Sequence, residues 1–480
     1  MGKREKKTAY LFKNMALFSI SSFVSKLLVF LLVPFYTSVL TESEYGIADV
    51  MQSSLLLLVP LLSVNAGEAA LRYGLEYTGD RDEILYHGLR RAIISIAPVA
   101  LIAVLLSFLF PENRIFFLLF IVLYTANVFY EYMLLYCQGT EEVKKMIIGS
   151  VSCTLFIITS NLIFLLIFRL GIYGYLFAQI IAFSGSALIM FLLNEGPERL
   201  KRRSDNRELR REMDGYGGSL IMYSTASWIN NAIDRYFILF MLGSSQNGLY
   251  GAAYKIPAIL ATIQRIFAMA WQMSAVKEYK GEDRDEFFSG MYRLYQAILV
   301  LGCSGIILFL KPIAAFMFRK GFFEAWVLVP PLLISIIFGA MEGFLGSIAL
   351  AFKDGKSMGI ATGTGAFFNI VLNYFLIAAF GSFGAAVATF CSYFIMFVLA
   401  FIFVRRHTRL QVLLHRDMAA YGLLTAESVM VIRDVRYFYL WNTGIVLLLI
   451  FMYHREIRRV VAEALEMVQK RFGHAGQSKG

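Results

Sequence analysis

Residues 357–404 read SMGIATGTGAFFNIVLNYFLIAAFGSFGAAVATFCSYFIMFVLAFIFV and hold no charged side chain. A helix rises 1.5 Å per residue, so about 20 apolar residues cross a hydrocarbon core about 30 Å thick. The stretch therefore predicts two crossings, over 357–380 and 383–404, joined by a minimal turn at Gly381 and Ser382. Moving outward toward the N-terminus, the same pattern predicts spans at 14–40, 47–70, 92–110, 115–136, 146–168, 172–193, 217–242, 249–275, 294–318 and 326–351. Toward the C-terminus, 437–453 reads cleanly, whereas 418–432 is short and carries Glu427. The expected fold is an all-α polytopic membrane protein of twelve to fourteen spans. Composition agrees, because 58% hydrophobic and 16% charged residues are more apolar surface than a water-soluble fold could bury.

The apolar run that follows the basic start MGKREKKTAYLFKN continues to Leu40, too long for a cleaved signal, and reads as an uncleaved first span. With the N-terminus inside, 34 of the 45 Lys and Arg fall in cytoplasmic segments and 6 in outer loops. This bias predicts a multi-pass protein of the cell (inner or plasma) membrane with both termini cytoplasmic. A cysteine placed at Ser245 is thus expected to be labelled from outside, and one at Ser204 only from the cytoplasm; the reverse pattern would overturn this topology. The basic stretch NEGPERLKRRSDNRELRREMDGYGG reads as an orientation signal lying against anionic lipid, so no nucleic-acid partner is expected. Residues 455–480 include HREIRRVVAEALEMVQKRF, whose apolar spacing predicts an amphipathic surface helix.

The chain also repeats itself. At a constant offset of 202, Ser22, Ser25, Phe35, Leu40, Ser43 and Gly46 match Ser224, Ser227, Phe237, Leu242, Ser245 and Gly248. Later, Asn161 corresponds to Asn373, and Gly171, Gly174 and Ala178 to Gly381, Gly384 and Ala388. An even number of spans per repeat preserves orientation, which predicts two bundles related about the membrane normal with a cavity between them. The predicted divisions are a six-helix bundle over 1–193, a basic linker at 194–216, a second six-helix bundle over 217–404, two further helices over 405–454 and a tail at 455–480.

TSVLTESEYGIADV after the first span, NNAIDRYFILFMLGSSQNGLYGAAYK across the seventh and eighth, and the two Gly-x-x-Gly turns carry a family resemblance. Over roughly residues 10 to 460 the chain resembles the polysaccharide transporter family of the multidrug, oligosaccharidyl-lipid and polysaccharide flippase superfamily. The resemblance implies two six-helix bundles in a V-shaped, alternating-access transporter with two extra C-terminal helices. It implies a substrate of polyprenyl-diphosphate-linked oligosaccharide, with a glycan polymerase or export machinery as partner.

Ionisable groups within spans mark the candidate binding site, since each costs about 2.5–3.5 kcal/mol at mid-bilayer on insertion scales. Lys26 lies about 18 Å into the first span, on a stripe with Ser19 and Ser22. Ser224, Ser227, Asn231 and Asp234 form the equivalent stripe on the seventh span, next to Arg235. Lys26, Arg235, Lys255 and Arg265 are read as cavity cations that attract a diphosphate, with Asn231 and Asp234 beside them. The competing reading pairs Lys26 with Asp49 or Glu342, and Asp234 with Arg235, as structural ion pairs. Glu131 and Glu427, near span ends, are expected to be solvated.

Other classes fit less well. A membrane glycan polymerase or ligase needs outer surface for catalytic groups, but loops such as TESEYG and GSSQNG are too short to hold them. The four cysteines stand singly, so neither a metal site, a cofactor nor catalysis is expected. No phosphate-cradling Gly-rich Lys motif is present, which points to an ion gradient or the membrane potential as energy source. A lipid II-type flippase and a cation-coupled multidrug exporter remain the alternatives, although a cationic drug would favour an acidic rather than a basic cavity.

Overall fold

The computed structural model describes residues 31–77, 79–201 and 206–458, and every regular element among them is helical. Lys26 and most of the first predicted span lie outside the described residues. Eight of the described helices are long and apolar enough to cross a membrane. The chain divides into two compact units.

The first unit runs to Ala252 and also takes in Met317–Phe322. Its helices are α1 (Val33–Val39), α2 (Glu42–Leu62), α3 (Ala66–Glu76), α4 (Arg81–Leu109), α5 (Arg114–Gly139), α6 (Val143–Asn161), α7 (Gly171–Leu193), α8 (Gly196–Lys201), α9 (Arg207–Leu242) and α10 (Ser244–Ala253). The sequence TESE after the first predicted span is a helix start. The Thr41 backbone N–H donates to the Glu44 carboxylate at 2.9 Å while the Glu44 N–H donates to Thr41 Oγ1 at 3.3 Å, so two otherwise unpaired amides are satisfied as α2 begins.

The predicted span 47–70 is not continuous. Val64 and Asn65 both adopt left-handed backbone angles, with φ of 58° and 49°, and α3 restarts at Ala66. The break frees the Asn65 side chain to donate to the Gly217 carbonyl at 3.1 Å, an interaction that hydropathy cannot reveal. Around it, Tyr132, Tyr136, Met133 and Met190 pack with Ile84 and Leu85, and the Tyr132 hydroxyl donates to the Ile84 carbonyl at 2.8 Å. Lipid is as apolar as these side chains, so close packing and interhelical hydrogen bonds hold such a bundle together, not exclusion from water.

The second unit contains α11 (Pro257–Glu278), α12 (Arg284–Leu308), α13 (Leu310–Met317) up to Phe316, α14 (Val329–Ala351), α15 (Gly355–Val404), α16 (Leu414–Ile432) and α17 (Phe438–Met452). The predicted span 249–275 is broken at 254–256, and Pro257 opens α11 where a missing backbone N–H costs nothing. Aromatic rings fill the core: Trp271 stacks on Phe344 at 4.2 Å and donates its indole N–H to the Phe344 carbonyl at 3.0 Å, while Phe267 stacks on Tyr295 at 3.8 Å.

The 50-residue α15 holds the two crossings read from its sequence, with the turn at Gly381 (φ 61°, ψ −145°) where only glycine is unstrained. Its repeat counterpart Gly171 also has positive φ, 53°. Both ends of this helical hairpin meet at Asp354, which accepts from the Ser357 N–H at 3.2 Å and from His407 Nε2 at 2.8 Å. The His407 contact first, and the Ser357 hydrogen bonds second, hold the Asp354 carboxyl down at about 2. Beyond it the weakly apolar 418–432 forms part of α16. Glu427 is not solvated as expected: it is fully buried and accepts a hydrogen bond from Ser304 at 2.8 Å.

Candidate functional site

In the first unit α9 lies antiparallel to α2 and is joined to it along its length. At one end Arg91 of α4 pairs with Asp214. Next, Ser224 Oγ donates to Asn65 Oδ1 at 3.2 Å, and the Trp228 indole N–H to the Ser53 carbonyl at 2.8 Å. Further on, Ser54 and Tyr236 share a hydrogen bond of 2.6 Å. Residues 224, 228 and 235 fall on one helical face, which is the face turned to α2; of the polar stripe read from the sequence, Ser224 lies on it, whereas Asn231 is exposed and Asp234 is held by Tyr250.

The end of this seam is a direct backbone contact. A Cβ on Gly46 would collide with the Ser244 carbonyl and the Gly248 amide, and one on Gly248 with the Glu42 carbonyl and the Gly46 amide. These contacts are reciprocal at the offset of 202, since Glu42 corresponds to Ser244 and Gly46 to Gly248. A reciprocal contact of this kind is the mark of a local two-fold axis. The repeat-related elements therefore meet at their own glycines, and Asn247 adds a hydrogen bond to the Gly46 carbonyl at 2.9 Å.

One turn along lies the ionic cluster. Arg235 Nε donates to Asp49 Oδ2 at 2.8 Å, and its Nη1 reaches Asp234 Oδ1 at 3.3 Å and the Asn231 carbonyl at 2.8 Å. Asp234 also accepts from the Arg235 backbone N–H at 2.9 Å and from the Tyr250 hydroxyl. Arg235 and Asp49 side chains are each 11% exposed, and Asp234 is buried. Asp49 thus belongs to Arg235, across 186 residues of sequence. The sequence offers Asp49 or Glu342 as a partner for Lys26, which lies outside the described residues, and does not single out Tyr250 as the partner of Asp234. The only available signal was the 16-residue spacing that a helix, a tight turn and a second helix span.

The remaining candidates are placed differently. Asn231 is exposed on α9 and donates from Nδ2 to the Ser227 carbonyl at 2.7 Å. Lys255 is half-buried in the break between α10 and α11. Arg265 is exposed near the middle of α11, about 12 Å from its start. Among the described residues neither Lys255 nor Arg265 makes an ion pair, in contrast to Arg235 with its two carboxylates. No group of three or more potential metal ligands occurs among the described residues.

A family described as "Polysaccharide biosynthesis protein" matches residues 11–276. Comparison with curated protein sequences gives no significant match. Among solved structures, the lipid II flippase MurJ in an inward closed conformation is 15% identical, with a TM-score of 0.63, over 93% of this chain and 100% of that one. An inward-facing multidrug resistance MATE family transporter of the MOP superfamily is 13% identical, with a TM-score of 0.66, over 83% and 96%. A MATE protein in a bent conformation is 15% identical, with a TM-score of 0.55, over 86% and 97%. At these identities the likeness is one of fold.

Proposed function

The chain belongs to the polysaccharide biosynthesis protein family, and on that premise we propose that it flips polyprenyl-diphosphate-linked oligosaccharide from the cytoplasmic to the outer leaflet by alternating access. It is a multi-span membrane protein with the fold of the MOP-superfamily transporters. The membrane in this reading is the inner or plasma membrane, with both termini cytoplasmic, and a glycan polymerase or export machinery receives the product.

The observation that carries the reading is Arg265: a guanidinium with no ion-pair partner among the described residues, on a helix that the sequence reads as a span, is stable only where water or an anion meets it. A diphosphate fits a guanidinium in charge and in its paired oxygen geometry. In this reading Lys26 of the first unit and Lys255 and Arg265 of the second supply positive charge, while Arg235, held by Asp49 and Asp234 next to Asn231, is a fixed part of the first unit. The carboxylates in and next to that set, Asp234 and Asp49, are already engaged by Arg235.

The test is reconstitution in liposomes containing a fluorescent polyprenyl-diphosphate oligosaccharide, with a membrane-impermeant quencher reporting which leaflet holds the label. Quenching should become nearly complete in protein-containing vesicles and stop at the outer-leaflet fraction in empty ones. Competition by unlabelled lipid II would shift the assignment to that substrate. Movement of cationic dyes with no effect on lipid would replace the reading with drug export.

A further inference from the structure

The deepest unexplained polar groups lie in the layer formed by α12, α16 and α17 of the second unit. Glu427 stands about 20 Å along α16 and is fully buried. Its Oε2 accepts the Ser304 hydroxyl at 2.8 Å, and its Oε1 has no hydrogen-bond partner among the described residues. Among the described residues, the groups around it offer no cation. From α12 it faces the buried thiol of Cys303. The one carboxyl of α14, Glu342, makes no hydrogen bond to it, and the one ionisable side chain within α17, Tyr439, is exposed. Lys311 is committed to Asp434 at 2.6 Å and Arg416 to Glu456 at 2.7 Å.

Glu427 is also one of a row. Asp417 and Tyr453 are in contact at 3.4 Å and lie at equal distances in sequence from Val435, at the tip of the α16–α17 hairpin. By the same register Glu427 and Asn442 share a level. Between the two levels, Gln296 of α12 stands near the Tyr421 and Tyr453 hydroxyls with no direct hydrogen bond to either. Gln296 and Asn442 are fully buried, and among the described residues neither their amide atoms nor the Tyr421 hydroxyl has a partner within direct hydrogen-bond distance. Buried polar atoms without protein partners are satisfied by water, and a row of them spaced by helical turns can hold a file of water molecules.

We infer that Glu427 is a proton-binding site, connected by water along Tyr421 and Gln296 to the Asp417–Tyr453 end of the layer. A carboxylate taken out of water with no cation beside it is strongly disfavoured, so the resting form is the neutral acid. The proton forms an O–H bond at Oε1, pointing to water, while Oε2 keeps the Ser304 hydrogen bond. Loss of that proton to the water file leaves a charge that only a rearranged layer could accommodate, which ties proton exchange to conformation. The link to transport rests on the flipping reading above; the site itself does not.

Infrared difference spectra of the reconstituted full chain separate the two. The wild type should show a carboxylic-acid C=O band that shifts in deuterated water and is lost in Glu427→Gln. Ser304→Ala, which deletes only a hydroxyl, should move the band to higher frequency. In vesicles, Glu427→Gln should keep substrate exchange at equilibrium and lose flipping driven by a pH gradient. Absence of the band in wild type, or its persistence unchanged in Glu427→Gln, overturns the site. Should Glu427→Gln fail to fold, an unshifted band in Ser304→Ala overturns it instead. A wild type that shows the band but moves no lipid sinks the flipping reading and leaves the proton site standing.

Discussion

Arg235→Ala is expected to destabilise the first unit by about 3–5 kcal/mol, the cost of removing one partner from a buried ion pair. The change leaves Asp49 and Asp234 facing each other across the space the guanidinium filled, with Asp234 still tied to Tyr250. Neutralising Asp49 as well, in an Asp49→Asn and Arg235→Ala double variant, should recover much of the loss, and the double-mutant cycle with the two single variants measures the coupling directly. Thermal unfolding of detergent-purified protein, with yield from membranes as a second readout, checks both. An Arg235→Ala protein that melts like wild type yet no longer flips lipid would move Arg235 from the scaffold to the binding surface.

Arg265→Ala is expected to do the opposite, leaving the melting temperature unchanged and reducing flipping by roughly 10- to 100-fold. That range corresponds to the loss of a charge-assisted hydrogen bond of about 1.5–3 kcal/mol. Arg265→Lys should retain part of the activity, because the charge survives and the two-pronged geometry does not. Lys26→Ala should follow the Arg265 pattern. The measurement is the initial rate in the fluorescent-lipid assay, normalised to reconstituted protein. Normal transport by both Arg265→Ala and Lys26→Ala would end the diphosphate proposal.

How far the sequence could be read depended on whether a property is local. The absence of charge over 357–404 and the paired glycines at 171 and 381 are local, and the structure places a positive φ at both glycines. The offset of 202 was equally legible, and the reciprocal contact of Gly46 with Gly248 is its spatial consequence. Helix continuity was not, because the breaks at Asn65 and at 254–256 fall inside apolar runs where hydropathy does not change. In α9 the difficulty is reversed: its serines, asparagines and charges lower its hydropathy, so it is absent from the helices apolar enough to cross by composition alone. Several of those side chains are matched to α2 or to Asn65 just after it, 150 or more residues away in sequence. Glu427 was misread for a related reason: position near the end of a weak span implied water, but burial is decided by α12 and α17 packing around it.

The seam between α2 and α9 also sets an order of assembly during synthesis. A chain enters the membrane from its N-terminus, and domains form as units as they emerge. The partners of α9 on the earlier helices, namely Arg91, Asn65, Ser53, Ser54 and Asp49, precede it in the chain, so it meets a template already waiting, and Tyr250 follows to close on Asp234. By the time Ala252 has left the ribosome, the first unit has everything but the segment Met317–Phe322. That segment arrives last, its Met317 carbonyl accepting from Thr37 at 2.9 Å and Phe322 packing edge-on against Tyr45 at 5.5 Å. The repeat unit inherited as a block of sequence is thus not the block that matures first, and a ribosome stalled just past Ala252 would carry a nascent chain already closed around Arg235.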